Sequence, residues 1–392
     1  MRVFVIAGEA SGDALGAALM AGLRVRVPGV AFAGVGGEAM AAQGLTSRFP
    51  MAELSVMGLA EILPKYRQLK RRIRETADAA IAARPDVLIG IDSPDFCMRV
   101  ARQVRAARPE QPVVHHVAPS VWAWRPGRAR RMAGVVDHVL ALLPFEPTYM
   151  QAAGMSCDFV GHPVVSEPVT GAQEAAAFRG AHAIAPDAPL VLGLPGSRRG
   201  EIERLAPRFG ATLQQVAQAH PGLRVVVPTV PATATFARAQ VACWPGAPVV
   251  LGPDDKRAAF AAADAALAAS GTVSLELAAA GVPMVIGYDM APLTRLAMAW
   301  MLRIDTVTLV NLVSETRAVP EFLGRDCRAD RMAPALGALL RDGPERAAQR
   351  AAMVQAMARL GQGGPPPGQR AADSVLEFLG KRGIAPHAGA AN

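Results

Sequence analysis

PLVLGLPGSRRGEI, residues 189–202, holds an apolar run, a Pro-Gly-Ser turn, two arginines and the opening of a helical pattern. An uninterrupted apolar run of this length fits a strand buried on both faces, as in a parallel sheet covered by helices. A glycine in the turn lets the backbone bend sharply, and the free N–H groups of the following helix then point beyond the strand end. A helix start of this kind carries roughly half a positive charge and favours an anion. Arg198 adds a guanidinium that can grip phosphate through two charge-assisted hydrogen bonds. The plainer alternative is a surface turn whose arginines meet only water.

The same strand–turn–helix style recurs along the chain. RVFVIAG (2–8), VAFAGVGG (30–37), DVLIGIDSP (86–94), PVVHHVAPS (112–120) and HVLALLPF (138–145) read as strands running into turns, with helices over 11–23 and about 65–83. After GHPVVSEPV (161–169), where Pro and Gly cluster, the pattern resumes. PLVLGLPGS (189–197), LRVVVPT (223–229), APVVLG (247–252), AALAAS (265–270) and PMVIGY (283–288) are its strands. GQGGPPPGQ (361–369) reads as a loop and residues 370–383 as a last helix. Strands separated by helices imply right-handed crossovers and parallel sheets. The expected fold class is therefore α/β, with two Rossmann-like parallel-sheet domains, 1–165 and 166–360, facing a cleft. Ligands of such sheets bind beyond the carboxyl ends of the strands.

Composition narrows the partners. The 392 residues are 51% hydrophobic, enough for two domains with large cores. The net charge is +8, and arginine supplies most of the cations. That balance fits an acidic partner (phosphate, nucleic acid or an anionic membrane) or reflects only an Arg- and Ala-rich composition. Cys97, Cys157, Cys243 and Cys327 are scattered with no C-x-x-C pair. This fits a reducing compartment and excludes a disulfide framework or a zinc site. The N-terminus turns polar too soon for a signal peptide. The Ala-rich run over 258–287 comes nearest to a membrane span, but Asp264, Ser270, Glu276 and Pro283 interrupt it.

The polar residues gather just after the strands. Gly196, Ser197 and Arg198 form the phosphate turn described above. In ASGTVSLELAAAGVP (269–283), Ser270, Gly271 and Thr272 start a helix and Glu276 lies one turn further in. A carboxylate there can accept hydrogen bonds from a ribose diol, or simply face solvent. Two such junctions in one domain suggest a nucleoside diphosphate, and neither matches the P-loop pattern. In the first half, AGEASGDALGA (7–17) sets Glu9, Ser11, Gly12 and Asp13 after a strand, with Ser11 and Asp13 also suited to capping. Asp92 in GIDSPDF (90–96) ends a buried strand and can serve as a general base or as a turn cap. HHVAPSVWAWRPGRARR (115–131) brings His115, Ser120, Trp122, Trp124 and Arg125 into one loop of an aromatic-poor chain. Its aromatics can stack on a sugar or line an acyl groove. SVMGLAEILPKYRQLKRRIRETA (55–77) is amphipathic. Leu59, Ile62, Leu63, Tyr66, Leu69 and Ile73 lie on one side, flanked by Lys65, Arg67, Lys70, Arg71, Arg72 and Arg74. It is either a core-facing helix with a solvated basic face or a membrane-surface helix. No D-x-D pair or metal-spaced His/Asp cluster is present in the crevice loops, so no metal is expected and the turns must neutralise any diphosphate.

In order, AGEASGDALGA, GIDSPDF, PSVWAWRPGR, LPFEP, GHPVV, LPGSRRGEI, ASGTVSLE, VPMVIGYDM and LVNLV resemble the blocks of the lipid-A-disaccharide synthase family, from residue 3 to about 325. The resemblance implies an inverting glycosyltransferase of GT-B fold, with the last helix crossing back onto the N-terminal domain. It implies transfer of 2,3-diacylglucosamine from its UDP derivative to 2,3-diacylglucosamine-1-phosphate, giving a β-1,6 disaccharide and UDP. Glu9, Asp92, Arg198, Glu276 and Asn311 match family positions tied to activity or nucleotide binding. The general base stays open among Asp92, Glu9 and His115, and His116 stands where the family often has an aromatic. The resemblance implies no cofactor, and an acylated sugar nucleotide and a lipid monosaccharide phosphate as partners. A cytoplasmic enzyme peripheral on the inner membrane, with a possible homodimer and no nucleic acid, completes the expectation. The rivals are another GT-B enzyme such as a UDP-N-acetylglucosamine 2-epimerase, and a basic nucleic-acid-binding protein.

Overall fold

The structure is a computed structural model that describes residues 1–54, 59–123, 127–168, 170–290 and 304–384, the side chains of 59–65 excepted. It divides into two compact units, Met1–Ser166 with the C-terminal stretch from Gly363, and Glu167–Gln362. In the first unit β1 (Arg2–Ala7), α1 (Ala10–Arg26), β2 (Ala31–Val35), α2 (Glu38–Ala42), α3 (Leu59–Ala83), β3 (Val87–Ile91) and α4 (Pro94–Ala107) follow one another. Then come β4 (Val113–His116), α5 (Gly127–Ala133), β5 (His138–Ala141), α6 (Glu146–Gln151) and β6 (Ser156–Phe159). The strands are parallel in the order β2-β1-β3-β4-β5-β6.

The second unit runs α7 (Ala172–Ala181), β7 (Leu190–Leu194), α8 (Arg199–Ala219), β8 (Arg224–Pro228), α9 (Ala234–Val241), β9 (Val249–Leu251) and α10 (Lys256–Ala262). It continues through β10 (Ala265–Ala268), α11 (Val273–Ala279), β11 (Met284–Tyr288), α12 (Leu309–Ser314), β12 (Glu321–Leu323), α13 (Ala329–Leu339) and α14 (Pro344–Arg359). Its parallel order is β12-β11-β10-β7-β8-β9. The central strands β3, β7 and β10 are buried at every residue, which is why their sequences show no polar alternation. In the first unit Phe4, Ile6 and Leu88 pack with Ile73, Val100 and Val104, while Val3, Val5 and Ile89 pack with Leu19, Leu23, Val375 and Leu379.

The last helix, α15 (Pro367–Lys381), belongs to the first unit and lies against α1. Two glycines permit the close approach: a Cβ on Gly22 would sit 2.5 Å from the Gly368 carbonyl oxygen, and one on Gly368 2.5 Å from that of Ala18. His138 pins the same helix. Its ring nitrogens lie 2.8 Å from the hydroxyls of Ser156 and Ser374, and Ser374 donates to Asp158 at 2.7 Å. The imidazole also stacks on Phe378, ring centres 5.0 Å apart.

Several boundaries differ from the sequence reading. The strand expected over 112–120 ends at His116, because Val117 takes a left-handed backbone (φ 84°). The one expected over 138–145 ends at Ala141. The last helix starts at Pro367, inside the expected loop, since proline fits the first turn. The short strands β6 and β12 have partly exposed patterns and carried no legible signal. On α3, Ile73 is buried and Leu69 half-buried, but Tyr66 is 51% exposed rather than inward.

Gly368→Val should force α15 away from α1 and cost about 1–3 kcal/mol, the usual penalty for overpacking. Thermal melting and proteolytic release of the C-terminal helix measure it, and an unchanged melting temperature would refute the close-packing account.

Candidate functional site at the strand-order reversals

Each sheet reverses its strand order once. In the first unit the reversal falls between β1 and β3, in the second between β7 and β10. Helices leaving the two strands at such a point go to opposite faces, so their turns part and leave a crevice. Glu9, Ser11 and Asp92 stand at the first of these places and the turns over residues 196–198 and 270–272 at the second.

At the first reversal, Glu9 occupies the cap position of α1 with extended backbone, and its carbonyl accepts the Asp13 N–H at 2.9 Å. Ser11 is exposed in the first turn and Gly12 is buried beside it. Across the crevice Asp92 and Ser93 both adopt left-handed backbone, φ 52° and 39°. Such residues cost of order 1–3 kcal/mol each and concentrate where geometry serves function. The kink turns the Asp92 carboxylate towards α1. Its Oδ2 accepts from the Ser11 hydroxyl at 3.2 Å and its Oδ1 from the Ser93 N–H at 2.9 Å. The group stays half-buried and therefore reachable. Ser11 thus acts as a partner of Asp92 and not as a helix cap.

Asp13 was expected to face this crevice or cap its own helix. It does neither. Its buried carboxylate accepts from the N–H groups of Gly37, Ala39 and Met40 at 2.8, 2.9 and 3.1 Å, capping α2 from a distance. His115 also departs from expectation. It is 1% exposed, beside Gly90 and Cys97 in the core, and neither ring nitrogen finds a partner among the described residues. Burial, with neighbouring His116, holds its pKa down to about 3, so the ring stays neutral. His116 is equally buried on the other face. In the loop after β4, Ser120 is exposed and Trp122 half-buried, while Trp124 and Arg125 lie outside the described residues.

At the second reversal Gly196 has φ 108°, a conformation that glycine alone adopts easily. The turn is not an empty cradle. The N–H groups of Ser197 and Arg198 both donate to Glu201 Oε2 at 3.3 Å, and the Arg198 guanidinium donates to Oε1 at 3.2 Å. An internal carboxylate thus holds the place expected for phosphate. Arg198 is 61% exposed at its side chain, so the pair is screened and can open. Glu201 sits at the third helical position, where the capping-box spacing is legible in RRGE.

Ser270, Gly271 and Thr272 form the other turn. Neither hydroxyl caps α11: Ser270 donates to the Val307 carbonyl at 3.4 Å, and Thr272 makes no side-chain cap. Glu276 lines a pocket with Glu167, Thr170, Lys256, Arg257 and Phe260, and is ion-paired with Lys256. Burial, then the charge of Glu276, raises the pKa of Glu167. Lys256 had no local signal in the sequence, because the pair joins two helices. Asn311 is 1% exposed and its amide is spent internally. It donates to the Val319 carbonyl at 2.9 Å and to Glu321 at 3.2 Å, and accepts the Val319 N–H at 3.0 Å. It braces the chain around Thr306 and Glu321 and does not face a crevice. Among the described residues no group of three or more His, Cys, Asp or Glu could hold a metal ion.

A family model described as lipid-A-disaccharide synthetase matches residues 3–364. The lipid-A-disaccharide synthase of Ruegeria pomeroyi is 62% identical over 388 residues, covering 97% of this chain and 96% of that one. The enzyme of Rhodospirillum centenum is 50% identical, covering 99% and 97%. Among solved structures, a UDP-GlcNAc 2-epimerase from Neisseria meningitidis aligns over 97% of this chain and all of its own, with TM-score 0.64 and 12% identity. The calicheamicin glycosyltransferase CalG4 aligns over 97% and 98%, with TM-score 0.55 and 19% identity. These structural likenesses show the α/β, GT-B-like fold and nothing more specific.

Glu201→Gln keeps the size and one acceptor for the turn but removes the charge an incoming anion must displace. Calorimetry should then report nucleoside diphosphate binding tighter by about three- to tenfold, or roughly 1 kcal/mol. Unchanged or weaker binding would mean that Glu201 only caps α8.

Proposed function

The chain belongs to the lipid-A-disaccharide synthase family, and on that premise we propose how its two strand-order reversals divide the family's reaction. The protein is a glycosyltransferase. It moves 2,3-diacylglucosamine from UDP-2,3-diacylglucosamine to 2,3-diacylglucosamine-1-phosphate and releases UDP with the β-1,6-linked disaccharide. The observation that carries the assignment of roles is the Asp92–Ser11 pair, set on two left-handed residues at the end of β3.

Asp92 is the general base. It takes the proton of the acceptor's 6-hydroxyl as that oxygen bonds to the anomeric carbon of the donor. The bond from that carbon to the diphosphate breaks on the opposite face, so configuration inverts. Ser11 and the Ser93 N–H orient the carboxylate. His115 is set aside as base, since a buried imidazole held neutral beneath the surface meets no substrate. Glu9, in the turn beside Ser11, is a polar wall for the acceptor sugar.

The donor belongs to the second unit. The turn at Gly196, Ser197 and Arg198 takes the diphosphate once Glu201 yields, and the turn at Ser270, Gly271 and Thr272 gives further N–H groups. Glu276 receives the ribose diol. Charge on departing UDP is offset by backbone dipoles and a guanidinium, with no metal or cofactor required. Arg198 can supply charge-assisted bonds worth about 1.5–3 kcal/mol each.

The substrates are lipids. Each buried CH₂ contributes about 0.8 kcal/mol, so acyl chains dominate their binding. No described helix is long and apolar enough to cross a membrane. We assign the approach to the inner membrane's cytoplasmic surface to α3, where Arg67, Lys70, Arg71 and Arg74 are exposed. Arg72 is not part of that face, because it is bonded to Glu53 and Glu75 with its guanidinium over Phe49. The first half of the amphipathic stretch, through residue 65, lies outside the described side chains.

Mass spectrometry of wild-type products from the two diacyl sugars should show the disaccharide, with the rate unchanged by a chelator. Asp92→Asn should lower kcat by about 10²–10⁴, the usual worth of a general base, and leave UDP affinity intact. Near-normal turnover of that variant would remove Asp92 from the role.

A further inference from the structure

LPFEP, residues 143–147, follows β5 and opens α6, yet none of its residues has a part in the chemistry above. Its glutamate is buried, 4% exposed, and turned back on the chain. One oxygen of Glu146 accepts the N–H groups of Leu142 and Leu143 at 3.1 and 3.0 Å. The other accepts the indole N–H of Trp122 at 3.3 Å. Phe145 meets the same indole edge-on, ring centres 5.2 Å apart at 83°. The loop carrying Trp122 is anchored on both sides by buried Val121 and Ala123, and its entry at Val117 is left-handed. β4 and β5 are adjacent and parallel, so both turns leave the same end of the sheet as Asp92.

We infer that Glu146 is a positioning residue for the transfer reaction, tying Trp122 to the turn after β5 so that the indole is held at the acceptor's side of the first unit. This rests on the proposed function, with Asp92 and the acceptor in the first unit, and adds that the Trp122 indole, suited to a sugar face or an acyl chain, serves that acceptor. An indole N–H can only donate, and a buried carboxylate shared with two backbone N–H groups is a fixed acceptor for it. The turn sets the carboxylate, and the carboxylate sets the ring.

The link is sensitive to pH. Burial raises the pKa of Glu146 to about 7 against the pull of its three N–H donors. Cys157, the titratable group beside it, is pushed up to about 12 and stays neutral. As pH falls through about 7 the acceptor gains a proton and the indole bond weakens. Between 4.5 and about 7 the folded chain holds more protons than the unfolded one, so stability itself declines as pH rises across that window.

The test follows the indole N–H resonance of Trp122 in the full chain, assigned by its loss in Trp122→Phe, from roughly pH 5.5 to 8.5. It should titrate near 7 in the wild type and stay flat in Glu146→Gln. The same variant should lower kcat/KM for the acceptor by about tenfold or more, with donor KM and Tm little changed. Glu146→Asp, which keeps the carboxylate, should recover part of the loss. A wild-type indole that does not titrate overturns the link. An acceptor KM indifferent to both Trp122→Phe and Glu146→Gln overturns its part in the reaction. Wild-type disaccharide formation in the same assay reports separately on the function itself.

Discussion

A parallel sheet covered by helices offers an opening only where its strand order reverses. That constraint governs this protein. At β1/β3 and β7/β10 the turns part, and backbone N–H groups, hydroxyls and carboxylates are left at a surface that water and ligand can reach. Ser11 with Asp92 sits at the first opening. The turn of Gly196, Ser197 and Arg198 and the pair Glu276–Lys256 flank the second. The chemistry assigned to each unit follows from what stands at its opening.

The second opening is self-neutralised. Arg198, which the proposed function assigns to a diphosphate, is held by Glu201, and Glu276, assigned to a ribose, is held by Lys256. Each ligand-binding group carries an internal partner of opposite charge. The Arg198 side chain is 61% exposed, so its pair is screened and a ligand can replace it at small cost. A ligand must exchange both pairs, supplying an anion at one and a diol at the other. A nucleoside diphosphate carries both a phosphate and a ribose diol, whereas free phosphate or a free sugar satisfies one exchange only.

Much of this was legible in the sequence, for identifiable reasons. Fully buried strands gave uninterrupted apolar runs, and the residues after them were polar for want of any core to join. Local patterns therefore singled out Asp92, Arg198 and Glu276, and the structure places them beside the two reversals. Features that depend on distant partners were not legible. Asp13 looks like a cap for its own helix and instead caps α2. His115 looks available and is core. Asn311 resembles a ligand and braces Glu321. Lys256 gave no sign, because its partner Glu276 lies on a different helix. Glu201 was the avoidable omission, since its spacing from the turn is that of a capping residue.

The central claim is that an internal carboxylate keeps the phosphate turn until the donor replaces it. A crystal structure of the protein with UDP tests this most directly. Diphosphate oxygens should lie within about 3 Å of the N–H groups of Ser197 and Arg198, with the guanidinium of Arg198 on the phosphate and the Glu201 carboxylate turned out of the turn. A complex in which Glu201 keeps its bonds to Ser197 and Arg198 while the diphosphate binds elsewhere would contradict the account.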